Sequence, residues 1–173
     1  MSKNDPIRIL TDEHAVISAV QELINNAENR WETDAGQYAT DVGQWLVFFR
    51  DYSDGFHHHK EEKVLFPALA AHPEFMMQGL LEELEEHHEL FRQYARECAQ
   101  ALEAGKWAVS HDILRRYISD LLDHIAVEDD ELFVMAENLF DDRELERIFF
   151  LFRDIDAELG EARKRELEGM VGG

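Results

Sequence analysis

Two ten-residue segments, sixty-seven positions apart, constrain this chain more than anything else in it. His57-His58-His59-Lys60-Glu61-Glu62-Lys63-Val64-Leu65-Phe66 and His124-Ile125-Ala126-Val127-Glu128-Asp129-Asp130-Glu131-Leu132-Phe133 both read His-x-x-x-Glu-acid-x-x-Leu-Phe. A shorter echo pairs Glu13-His14 with Glu86-His87. Positions four apart on an α-helix lie about 40° apart around the axis and ~6 Å apart along it. His57 therefore faces the same way as Glu61, and His124 the same way as Glu128. Set antiparallel to two single-His helices, these segments bring His14, His57, Glu61, His87, His124 and Glu128 to one level. Burying such a set with no counter-ion is costly for every charged group in it. Metal cations remove that cost.

The surrounding pattern is helical throughout. Asp5-Pro6 reads as a cap followed by proline at the first helical position. Ile7, Leu10, His14, Ile17 and Ile24 then form one stripe of a helix running to about residue 29. A polar turn at 31–36 leads to a second long pattern over 37–70, in which Gly55 marks either a local bend or close helix packing. His72-Pro73 breaks it and opens a third helix, which ends at Gly105, where a left-handed cap is expected. A fourth spans about 110–138. Asp141-Asp142-Arg143-Glu144 resembles a capping box and starts a fifth, aromatic helix (Phe149, Phe150, Phe152) that stops at Gly160. The charged tail, 161–173, reads as frayed. The expectation is an all-α fold: an up-down-up-down four-helix bundle with an additional C-terminal helix, in a single domain over 1–173. The bundle occupies about 6–139, and the fifth helix and tail about 142–173.

Composition narrows the partners. A net charge of -21 argues against nucleic acid and against anionic membrane. Cys98 is the only cysteine, so there is no internal disulfide and no thiolate metal site, which favours a reducing, cytoplasmic setting. MSKNDPIRIL carries no apolar leader, and no later window is apolar for ~18 residues. A monomer or homodimer is expected, with the three clustered phenylalanines either covering the bundle or forming a dimer contact.

Counting ligands sharpens the metal reading. The internal repeat predicts two ions, each with two histidines, and Glu61 and Glu128 bridging both. A bridging oxide or hydroxide brings each ion to five ligands and leaves one octahedral position open. Structural zinc prefers four ligands with none vacant, so two iron ions are the expected cofactor. An open position on a redox metal points to a small oxidant ligand: dioxygen, peroxide or nitric oxide.

Other residues admit more than one role. Glu83 reads as a seventh ligand, as an acceptor for an imidazole N–H, or as an ordinary surface residue. Asp54 and Asp120, near one turn before His57 and His124, are either acceptors for those rings or solvated carboxylates. Steps of seven from the four histidines place Gln21, Arg50, Tyr94 and Tyr117 in one layer and Ile7, Val64, Leu80 and Glu131 in the other. Tyr94 and Tyr117 are then core residues, or they line an access route for a small ligand. His58 and His59 point about 100° and 200° away from His57, although a register of His58 with Glu62 is an alternative. His72, His88 and His111 read as surface residues, and Cys98 as a small buried one.

The segment HHHKEEKVLFPAL, with its partners on the other helices, resembles the hemerythrin-like family with the His-His-Glu cation-binding signature, over roughly residues 7–135. That resemblance implies a non-heme di-iron centre held by His14, His57, Glu61, His87, His124 and Glu128. Two positions depart from the oxygen-carrying members: Glu83 stands where they have a second histidine, and His124-x3-Glu128 replaces their His-x4-Asp. The set is more similar to members linked to iron sensing, nitrosative-stress repair and peroxide chemistry. The functional expectation is a di-iron protein that binds, senses or reacts with a small oxidant, in iron homeostasis or oxidative stress. The alternatives are an iron-storage or oxygen-carrier module and a structural zinc-binding bundle.

Overall fold

The structure is a computed structural model that describes residues 5–172. The Asp5 carboxylate accepts from the N–H groups of Ile7 and Arg8, so α1 (Pro6–Ser18) begins at the expected cap. It buries Ile7, Leu10, Glu13, His14 and Ile17 along one side. After an interruption at Ala19 the chain continues as α2 (Val20–Asn26) and turns through a 3-10 segment, Arg30–Glu32, entered by Asn29 at φ 60°. Asp34 caps α3 (Ala35–Phe48) by accepting from the Gln37 N–H.

The next rod is not a uniform α-helix. Beyond α3 it winds into π1 (Phe49–His58) and π2 (Glu61–Leu65), then returns to α winding in α4 (Phe66–Ala71). π winding joins each N–H to the carbonyl five residues back, so each residue advances by less than the ~100° of an α-helix. Gly55 has its reason here: a Cβ at this position would lie 3.0 Å from the Arg50 carbonyl oxygen. The close approach comes from its own rod, not from a bend or a neighbouring helix. The changed winding also turns Arg50 out to solvent and buries Phe49, Tyr52, Phe56, His57 and His58.

His72 in extended conformation ends α4. The long α5 (Gln78–Glu103) packs along α6 (Trp107–Val127), the two joined through Gly105 at φ 66°. The α6 rod passes through a third wide turn, π3 (Glu128–Leu132), into α7 (Phe133–Leu139). The capping box expected at Asp141 is present: Asp141 accepts from the Arg143 and Glu144 N–H groups, and Glu144 accepts from the Asp141 N–H. It starts α8 (Asp142–Leu159), which ends at Gly160 with φ 81°. The tail is helical rather than frayed. In α9 (Glu161–Gly169) and just beyond it, Leu167 and Val171 are buried in the core; Gly173 lies outside the described residues.

Two apolar clusters enclose a polar middle. One gathers Ile17, Ile24, Trp45, Phe49, Phe91 and Tyr117; the other gathers Leu10, Leu65, Leu84, Leu132, Phe133 and Phe152. The polar layer anticipated from steps of seven does not form. Gln21 and Arg50 are exposed, and Tyr117 stacks on Phe91 with ring centroids 5.5 Å apart. Phe152 is buried, whereas Phe149 is partly covered and Phe150 faces out. Among the described residues there is no strand, and no helix is long and apolar enough to cross a membrane.

Candidate metal centre

Between the two apolar clusters, α1, π1, π2, α5, α6 and π3 turn polar side chains toward one another. His14, His57, Glu61 and Glu128 form one group, and His58, Glu61, His88 and His124 form a second; all are buried. Glu61 belongs to both. Its Oε1 lies 3.4 Å from His57 Nε2 and its Oε2 lies 3.5 Å from His88 Nε2. Glu128 also spans the pair, with Oε2 3.2 Å from His14 Nε2 and Oε1 3.2 Å from His124 Nε2.

Five of the six expected residues, His14, His57, Glu61, His124 and Glu128, thus meet in the polar middle. His87 does not join either group. Its neighbour His88 faces inward, while His87 sits behind His124 with the two Nδ1 atoms 3.3 Å apart. The reason is the buried face of α5, which runs Leu81, Leu84, His88, Phe91, Cys98. Leu81 to His88 and Phe91 to Cys98 are both seven-residue steps, a signal that pairing Glu13-His14 with Glu86-His87 overrides. His58 is the other addition. In the wide winding of π1 it and His57 both reach the interior, each toward its own group, so the 100° separation of an α-helix does not apply.

The rings are held from behind. His14 Nδ1 donates to Asp129 Oδ1 at 2.8 Å, His57 Nδ1 to Glu13 Oε2 at 3.0 Å, and His88 Nδ1 to Glu62 Oε1 at 2.8 Å. Asp54, expected behind His57, instead lies with Oδ1 3.5 Å from His58 Nδ1, near it but without a hydrogen bond. A carboxylate behind an imidazole fixes the ring's orientation and leaves Nε2 with a free lone pair, the arrangement found around bound metals. Asp120 instead accepts the Tyr94 hydroxyl at 2.7 Å, and Glu83 is exposed and touches neither group. The sequence reading did not place Glu13, Glu62 and Asp129 behind these rings, since a carboxylate next to a candidate ligand has no spacing rule of its own; Glu62 entered it only as a partner for His58 in an alternative register.

The donor set fits cations. His14 Nε2, His57 Nε2 and all four oxygens of Glu61 and Glu128 are buried with no hydrogen-bond partner. His88 Nε2 and His124 Nε2 lie 3.1 Å apart. Lone pairs crowded together in a dry interior are unfavourable unless protons or metal ions sit among them. Imidazole nitrogen with carboxylate oxygen suits first-row transition metals.

Electrostatics agree with that picture. Burial disfavours charge on His57, yet Glu61 and Glu13 push its pKa up to about 10. His14 also rises, since Asp129 and Glu128 outweigh its burial and its repulsion by His57. Burial would raise the Glu128 carboxyl, but His124 and His14 hold it well below the usual range. Burial and the neighbouring histidines His88, His57 and His124 drive His58 well below its ordinary value, which favours its neutral form. The neighbouring carboxylates thus favour positive charge at His14 and His57, the charge a metal ion would supply.

Of the remaining histidines, His111 is buried rather than exposed, its Nδ1 3.3 Å from the Tyr38 hydroxyl and its ring beside Trp31. Cys98 is buried as expected; burial raises its thiol to about 11, and its Sγ lies 3.3 Å from the Ser110 hydroxyl.

Comparison with curated proteins finds no match, and comparison with solved structures finds none. Comparison with protein families matches residues 5–136 to the hemerythrin HHE cation-binding domain, a span that takes in every residue of both groups. The chain belongs to the hemerythrin HHE cation-binding family.

Proposed function

We propose that the protein is a non-heme di-iron protein of up-down-up-down four-helix-bundle topology that binds, senses or reacts with a small oxidant. The observation that carries this is the sharing of Glu61 and Glu128 between two buried groups of histidines. His14 and His57 would hold one iron and His58, His88 and His124 the other, with both carboxylates between them and an oxide or hydroxide completing the cofactor. A pair of irons so held supplies reversible electron transfer and an attachment point for a small ligand.

The two positions are unequal. One has two imidazoles and the other three, so the position at His14 and His57 has one protein ligand fewer. We assign the ligand's docking point to that side. What the chain itself contributes there is orientation and exclusion of water. Glu13 and Asp129 aim the two rings, and Phe133 stacks on His14 with centroids 5.3 Å apart. Leu10 and Leu132 pack in the apolar cluster beyond, so polar competitors for the position are kept away. Dioxygen, peroxide and nitric oxide are small enough for such a site.

Anaerobic titration with Fe(II), followed by air, tests this reading. The expected result is two irons per chain and, on oxidation, near-ultraviolet and visible absorption. One iron per chain would overturn the paired centre. Retention of two zinc ions in preference to iron, with no optical change, would favour the structural bundle instead.

A further inference from the structure

Behind His57 stands a second buried charge that the metal groups do not use. Lys60 has no exposed surface. Its Nζ lies 2.5 Å from Glu13 Oε1 and 2.7 Å from Asp156 Oδ1, and 3.8 Å from the centroid of the Phe56 ring. The other Glu13 oxygen accepts from His57. A continuous chain of polar contacts therefore runs Asp156, Lys60, Glu13, His57, buried but for its partly exposed outer member. Its outer member comes from α8, beyond residues 5–136 that match the family. The segment after residue 136 also joins the same rod through hydrogen bonds: Tyr52 donates to Glu168 at 3.1 Å, and Arg163 donates to Asp51 at 2.7 Å.

We propose that the C-terminal extension, α8 with α9, is a working part of the metal centre, and that its docking and the filling of the His14/His57 position strengthen each other. The proposal rests on the paired-metal reading above. An ammonium removed from water is strongly unfavourable unless fully paired, so Lys60 needs both Glu13 and Asp156 in place. Undocking α8 removes Asp156 and leaves Glu13 as the sole counter-charge. Glu13 is then drawn to Lys60 alone and loses its fixed aim at His57. In the other direction, a cation on His57 Nε2 strengthens the Nδ1–H bond to Glu13 and so fixes the carboxylate on which Lys60 and, through it, Asp156 lean; Arg153 of α8 also pairs with Asp156 at 3.0 Å. Coupling of this kind is reciprocal by thermodynamic necessity. It is also one-sided within the centre. His58, His88 and His124 lean on Asp54, Glu62 and His87, and no hydrogen bond from α8 or α9 reaches those three.

Asp156, Lys60 and Glu13 are thus positioning residues for the two-histidine ion, the one assigned the open position. Two measurements test this. In the wild-type chain, Fe(II) added without oxygen should slow amide hydrogen exchange in α8 around residues 150–159. Asp156→Asn should weaken Fe(II) binding about tenfold when combined with His88→Ala, the scale typical of partners behind a ligand. Combined with His57→Ala it should leave binding of the remaining ion unchanged. Two bound irons with α8 exchange unaltered, or an Asp156→Asn effect equal in both backgrounds, would overturn the coupling while leaving the metal centre standing. Failure of the wild-type chain to bind any metal would overturn both.

Discussion

His88 points its Nε2 at Glu61 from 3.5 Å, while His87, one residue earlier on the same helix, lies outside both groups. Adjacent side chains thus face different ways: one turns toward Glu61 in the interior, and the other lies behind the ring of His124. His88→Ala is expected to reduce metal content from two ions per chain to one. His87→Ala should keep both, with affinity lowered by about 10- to 100-fold. Metal analysis after dialysis against a weak chelator separates the two outcomes.

His58 carries the same kind of expectation from a different element. Burial, first, and the neighbouring histidines hold its pKa well below the ordinary value, which favours the neutral imidazole that a metal needs. His58→Ala should also lower stoichiometry toward one ion, with helix content by circular dichroism unchanged.

The raised pKa of His57 fixes the pH dependence of the metal-free protein. In the unfolded chain this imidazole titrates near its ordinary ~6.5; in the folded chain it holds its proton to about 10. Its favourable contribution is complete below about pH 6.5 and is lost as pH rises through about 10. Thermal melting of the metal-free chain should therefore fall between pH 6.5 and 9. Metal must displace that proton, so affinity for Fe(II) or Zn(II) should rise over the same interval. A metal-free melting temperature that climbs with pH would contradict the assigned environment.

Two glycines of one rod should respond in opposite senses to alanine. Gly43 lies in α3 with nothing within 4 Å of a Cβ built on it, so Gly43→Ala should stabilise by about 0.5–1 kcal/mol. At Gly55 the same methyl group meets the Arg50 carbonyl at 3.0 Å, and the wide turn must open or the rod must shift. Gly55→Ala should destabilise by about 1–3 kcal/mol, as overpacking does. It should also weaken metal binding, since His57 and His58 follow directly. Urea denaturation of both variants checks the signs.

Phe152 ties α8 to the apolar cluster below the centre and is fully buried. Phe152→Ala should cost about 3–5 kcal/mol, in line with other aromatic truncations in packed cores. Phe150, on the exposed side of the same helix, should tolerate alanine within about 0.5 kcal/mol.

Much of the helical frame was legible. The caps at Asp5 and Asp141, the left-handed Gly105 and the stripe from Ile7 to Ile24 follow from local rules that depend on nearby residues alone. Glu61 and Glu128 were legible for the same reason, each four residues after a histidine. What escaped was set by winding. Nothing in the composition of Phe49–His58 announces hydrogen bonds that reach back five residues, so steps of seven taken along that rod arrived at Arg50 when Phe49 was the inward residue. His58 was set aside by the same arithmetic. His87 was preferred to His88 on another ground, a short repeat of two residues, although the apolar spacing of α5 pointed to His88. The chain Asp156, Lys60, Glu13 joins residues 47 and 96 positions from one another or more, and only tertiary packing reveals it.

π winding is rare because α winding is ordinarily the better arrangement for a backbone. All three stretches that adopt it here carry or adjoin the side chains that face the polar middle. The wide winding therefore sits at the molecule's waist, with apolar packing above and below. Without cations, that waist is expected to loosen before either end, which amide hydrogen exchange of the metal-free chain would read.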